Sequence, residues 1–421
     1  MSVFKYSPVD FLFICVGLLL QLLDVVLDAV ALVSFYQEGA YWSLGVLLLL
    51  LMGSSALVQA FSWLWYSDPD SDPRHTRVEK WPSRGTLRLL HLLQLGVYLR
   101  HAGVVEASLC SSGVGDPAGV AVSLSHDLSM LRLFEAFSES APQLVLMLAI
   151  TLRSGELDPV TVLKAVGSAS AVAFSVTMYH RSLRSFLPDK EKQRAASSAL
   201  HFLWNLLLVS SRLAALALFA SALPCFIFAH FLCSWALLLL AAWRSQTDFM
   251  DGPGGERLYR GAVALVWYFD WFNVAEGRTR RRALLYHGYA LADVSALCGL
   301  WCWTVSARPP RFEIPPRSAV AVAVAVVAAY VLGLLLKMVY YKWFHPNVAK
   351  DELRGVADDT DCRARPEADA EVPRVRFHGV PEAFGLRSDG DVTDRGGPSA
   401  VAPDATRCNK RMRKLAENFY S

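Results

Sequence analysis

Residues His126 to Ile150 read HDLSMLRLFEAFSESAPQLVLMLAI, and this stretch decides what kind of protein the chain encodes. It is long and apolar enough to cross a bilayer as a helix, yet its first half carries Asp127, Arg132, Glu135 and Glu139. Arg132 and Glu135 are three residues apart, and Glu135 and Glu139 four apart, so on a helix they share a face. A charge at mid-bilayer depth costs roughly 2.5–3.5 kcal/mol on insertion scales. Several in one span point to a polar path or to pairing inside a bundle. Pro142 lacks a backbone donor, which predicts a kink there.

The rest of the chain confirms a bilayer as its solvent. Of 421 residues, 54% are hydrophobic, and the mean hydropathy is +0.32. The apolar residues fall into runs of about 20, the length that spans about 30 Å of hydrocarbon. The net charge is +3, and the basic residues sit between the runs, a topology signal rather than a nucleic-acid footprint. The eight cysteines include no Cys-x-x-Cys pair, and there is no metal-ligand spacing among the ten histidines. No Walker loop, dinucleotide fingerprint, His-Glu-x-x-His pattern or nucleophile elbow is present. The expectation is a protein that is not an enzyme and holds no cofactor and no metal.

Working outward, the first run is Phe11 to Tyr36. Asp10, Gly17, Gln21, Asp24 and Asp28 are spaced seven, four, three and four, one stripe of a helix. Two carboxylates inside a span suggest a hydrophilic track; the plainer alternative is a stripe facing other helices. Further spans are expected at Tyr41–Tyr66, Thr161–Phe186, His201–Leu223, Phe226–Trp243, Ala283–Val305 and Ala319–Trp343, with the central one ending near Leu152. Arg212, Asp293 and Lys337 place one charge each in the later spans. For Arg212 and Lys337 a buried ion pair explains the charge equally well.

Three basic loops mark one side of the membrane: 67–88, 181–194 and 278–282. Each interval between them holds three apolar runs, but a chain that starts and ends on one side crosses an even number of times. One run per interval is therefore not a span, and the shortest are Leu87–Val105 and Leu258–Val274. The expected fold is an all-α polytopic membrane protein with eight transmembrane helices and two half-inserted ones. They form two pseudo-symmetric repeats, 1–196 and 197–345, followed at 346–421 by a disordered cytoplasmic tail. The tail's basic end, from Asn409 to Tyr420, fits a short amphipathic helix.

The tail also holds Asp358-Asp-Thr-Asp361 and Asp391-Val-Thr-Asp394, the Asp-x-x-Asp spacing that executioner caspases prefer, with Asp369 a weaker third.

Five segments carry a family resemblance: Asp127 to Leu144, Trp271 to Arg280, Phe61-Ser-Trp-Leu-Trp65, His91 to Gly96, and Tyr340-Tyr-Lys-Trp-Phe-His-Pro346. With these the chain resembles the XK-related family of membrane proteins, across residues 10–346. The resemblance implies an ATP-independent phospholipid scramblase of the plasma membrane with both termini cytoplasmic. It would move lipids both ways between leaflets and expose phosphatidylserine on apoptotic cells, a mark for engulfment. Caspase removal of the tail after Asp361, or after Asp394, would switch it on. The family's charged path maps here onto Asp10, Asp24, Asp28, Asp127, Arg132, Glu135, Glu139, Arg212 and Asp293. The implied partner is a single-span glycoprotein of basigin or neuroplastin type. Two positions depart from the family pattern: Met178 stands where an acid is expected, and Asp270 where a small polar residue is. A solute or ion transporter, and a non-transporting subunit of a membrane complex, remain the competing readings.

Overall fold

The computed structural model describes residues 8–67, 76–109, 117–155, 159–186, 193–250, 252–274, 279–307 and 315–344. The tail expectations at Asp361, Asp369 and Asp394, and parts of the basic loops, lie outside these residues. Inside a bilayer no water satisfies the backbone, so an apolar chain must bond to itself. Accordingly the described residues form helices and short connections, with no strand among them.

The chain opens with α1 (Pro8–Gln37), turns at Gly39 in the left-handed region (φ 69°), and returns as α2 (Tyr41–Tyr66). Three short helices follow: α3 (Arg77–Lys80), α4 (Arg84–Leu92) and α5 (Gly96–Leu109). Next come α6 (Pro117–Glu135), a π-helical turn at Ala136–Ser140, α7 (Ala141–Ser154) and α8 (Pro159–Phe186). The second half runs α9 (Ala195–Ala222), α10 (Phe226–Arg244), α11 (Pro253–Phe269), α12 (Thr279–Ala307) and α13 (Pro316–Val339), closing with a second π turn at Tyr340–Phe344. Among the described residues eight helices are long and apolar enough to span: α1, α2, the α6–α7 rod, α8, α9, α10, α12 and α13.

Three expectations need correction. Leu87–Val105 is not one half-helix but the bent pair α4–α5, broken at Gln94, whose φ is 63°. The break is fastened by contact: a Cβ on Gly96 would lie 2.5 Å from the His91 ring and 2.7 Å from Gln59. Only glycine lets those side chains approach so closely. The central span begins nine residues early, at Pro117 rather than His126, and its irregularity is the π turn just before Pro142. Finally, α11 starts at Pro253 rather than Leu258 and ends at Phe269 rather than Val274. Even so, the 14 residues of α5 and the 17 of α11 are too short to cross; at 1.5 Å each they reach about 20–25 Å.

The core lies along α9, which packs against α7, α8, α12 and α13. At Gly333 of α13 a Cβ would meet Leu208 of α9 at 2.8 Å, the close backbone approach through which membrane helices associate. In contrast, α1 turns most of its surface outward, exposing Leu19, Leu22, Val26 and Val33. Only one edge of it, with Ile14, Gln21, Asp28, Ala31 and Phe35, is buried.

Candidate charged seam along the first helix

That edge of α1 is the stripe read from the sequence, and it faces α6, α7 and α8. At one end Asp10 accepts from Arg181 of α8 at 3.0 Å. Arg181 also donates to the Gln193 carbonyl and the Ser198 hydroxyl, so this end is tied to α9. Three turns further along, Gln21 donates to Glu135 at 3.3 Å, and Arg132 bonds the same carboxylate at 2.7 Å. Beyond it Asp24 accepts from Ser140 at 2.9 Å, and Asp28 accepts from Gln143.

The π turn explains why one rod supplies so many partners. The Ala141 N–H bonds the Ala136 carbonyl, five residues back, so the turn holds an extra residue. Glu135, Glu139, Ser140 and Gln143 thereby come to one side of the rod. Pro142 has no N–H to bond Ser138, and the Ser138 hydroxyl instead bonds the Phe134 carbonyl and Ser54 of α2.

Three clefts line this edge. The first, of about 310 Å³, holds Asp10 and Arg181; the second, about 490 Å³, holds His101 and Arg132. The third, about 1130 Å³, is lined by Asp24, Asp28, Glu38, Gln143 and Lys164. The first two share Ile14, Ser125 and Met178. Met178, the residue standing where an acid was expected, thus puts an apolar side chain in the lining of both clefts.

The remaining sequence-flagged charges lie elsewhere. Asp127 points from α6 toward α2 and α5, where Arg100 holds it at 3.3 Å. Arg100 also bonds the Ser62 hydroxyl and carbonyl and lies 3.9 Å from the centre of the Tyr66 ring. Arg212 and Asp293 form a second group in the other half of the bundle. Arg212 bonds Asp293 and, at 3.0 Å, the Tyr268 carbonyl. His230 bridges Asp293 at 3.2 Å and the Tyr268 hydroxyl at 2.9 Å. Lys337 bonds His287 at 2.8 Å and lies over the Trp204 ring. Asp270 caps α11 and accepts from Trp271, while its other oxygen is buried without a hydrogen bond.

The sequence reading did not single out His230, Gln143, Ser140, Lys164 or Arg100. Single polar residues inside apolar runs were the available signal. No group of three or more metal-type ligands occurs among the described residues.

The XK-related protein family model matches residues 12–346, which covers the described helices almost completely. The chain belongs to the XK-related family. Within it, the chain is 40% identical to XK-related protein 8 of Tetraodon nigroviridis, over 100% of this chain and 98% of that one. It is 37% identical to the same-named protein of Gasterosteus aculeatus, over 99% and 98%. For that of Pan troglodytes the identity is 36%, over 95% and 91%. The similarity to these XK-related proteins therefore extends past residue 346 into the tail.

Proposed function

We propose that this XK-related chain is a plasma-membrane phospholipid scramblase that moves lipids in both directions without ATP and exposes phosphatidylserine in apoptotic cells. The observation that supports it is the seam itself. Carboxylates, two guanidiniums and an amide line successive clefts behind a helix whose other faces are apolar. A headgroup carrying both signs of charge can follow such a wall while its acyl chains stay in hydrocarbon. A selective ion site would favour a compact ring of one sign instead.

In this reading both termini are cytoplasmic, the uncut tail holds the protein silent, and an executioner caspase cuts after Asp361 or, second, Asp394. The two halves are a parallel internal repeat. A single-span glycoprotein of basigin or neuroplastin type is the partner we propose for surface delivery.

The test is annexin V binding on cells lacking other scramblases, with and without an apoptotic stimulus. The intact chain should expose phosphatidylserine after the stimulus, and Asp361→Ala plus Asp394→Ala should not. Equal exposure from both would keep the scramblase and remove the cut sites. No exposure from either, with the glycoprotein present, would favour a transporter or a non-transporting subunit.

A further inference from the structure

The second cleft differs from its neighbours in one respect. The first holds Asp10 and the third Asp24, Asp28 and Glu38, but no carboxylate lines the cleft of about 490 Å³ between them. Its charged lining is Arg132, and its other strong polar group is His101. His101 is 4% exposed, and both its ring nitrogens are buried without a hydrogen bond. Buried polar atoms are satisfied in the great majority of cases, so an orphaned imidazole facing a cleft calls for a partner from outside the chain. The cleft's serines do not supply it: Ser125, Ser129 and Ser175 donate to the carbonyls of Ala121, His126 and Ala171. The rest of the lining is largely apolar, with Phe13, Leu128 and Phe174.

We infer that this cleft binds the phosphodiester of a glycerophospholipid, with the His101 N–H and the Arg132 guanidinium as donors and the apolar wall against the glycerol and upper acyl chain. Arg132 already bonds Glu135, so the anion meets a shared rather than a free positive charge. That suits a ligand that must also leave. The neighbouring clefts carry carboxylates, Asp10 in one and Asp24 and Asp28 in the other, which fits a zwitterionic lipid better than a free anion. The inference rests on the lipid reading above but is tested by binding rather than transport.

The experiment is native mass spectrometry of the full chain in detergent, titrated with phosphatidylcholine or with a diacylglycerol of the same chains, which lacks the phosphate. Phosphatidylcholine should form a one-to-one adduct that His101→Leu weakens at least fivefold and His101→Gln, which keeps an N–H, largely restores. Diacylglycerol binding should be weak and indifferent to both changes. Adducts of equal strength in all three proteins would overturn the site, as would equal loss with Leu and Gln. Displacement of the lipid by millimolar inorganic phosphate would overturn the lipid as ligand and leave a free-phosphate site. A wild-type chain that binds the lipid but moves none in vesicles would refute the scramblase and not this site.

Discussion

Arg212 and Asp293 meet deep in the bundle, whereas Asp24 and Asp28 line an open cleft, with Glu135 and Arg132 paired one turn away. In the first group the guanidinium bonds a carboxylate and a carbonyl, and a histidine and a tyrosine close the ring around that carboxylate. In the second, Asp24 and Asp28 rest on Ser140 and Gln143, neutral partners that can exchange for others, and only Glu135 has a guanidinium. The same residue types thus serve two purposes. A closed ion pair fixes helices, because breaking it strands a charge in a medium that cannot solvate it. An open row of acids backed by neutral donors holds helices loosely and leaves room for a polar visitor.

The sharpest way to break this contrast is at Arg212. Arg212→Leu strands Asp293, and the expected cost is about 3–5 kcal/mol, seen as lost thermal stability and a collapsed monodisperse peak in detergent. Adding Asp293→Leu should recover most of it, since two apolar side chains can replace a buried pair. A single-mutant protein as stable as wild type would dissolve the distinction between the two groups.

Next in size is packing in the closed half. Gly333→Val would push a branched side chain into Leu208 and Leu207, and overpacking of this kind costs about 1–3 kcal/mol. Gly17, on the seam edge of α1, has open space where a Cβ would go. Gly17→Ala should therefore leave the melting temperature almost unchanged, and an equal loss at both positions would say that α1 is as tightly seated as α13.

On the open side the expected loss is of function. Asp24→Asn with Glu139→Gln should shift stability by no more than about 1 kcal/mol, since the amides keep acceptors for the same donors. Lipid transport in vesicles should fall about tenfold or more, a barrier change of roughly 1.4 kcal/mol. If unfolding suffers instead, these acids are structural. The smallest effect is assigned to Lys164, which is exposed at the rim of the third cleft. Lys164→Gln should change stability by less than about 0.5 kcal/mol, while altering the relative transport of anionic and zwitterionic lipids.

Much of this was legible in the sequence because a bilayer imposes a simple rule. Runs of sufficient apolar length must be helices, and the basic loops decided which short runs could not cross. The stripe from Asp10 to Asp28 was visible because seven, four, three and four is a helical period. The partners were not visible, because they depend on rotation and depth. Asp127 lies in the same span as Arg132 but faces Arg100 on the far side of the helix. His230 gave no sign of reaching Asp293, 63 residues away. The break at Gln94 was hidden for a similar reason: it is held by His91 and Gln59 pressing on Gly96, a contact written in three separate places.

The π turn at Ala136–Ser140 also bears on how the length of the central rod can change. The wider turn absorbs one surplus residue, so the α-helices before and after it keep nearly the phase of an uninterrupted helix. Deleting one residue from 136 to 140 would let the rod close into regular α-helix with Gln143 still close to Asp28. What would be lost is the bulge itself, which turns Glu139 and Ser140 together toward the seam. Composition would hardly differ and the span would still be long enough to cross.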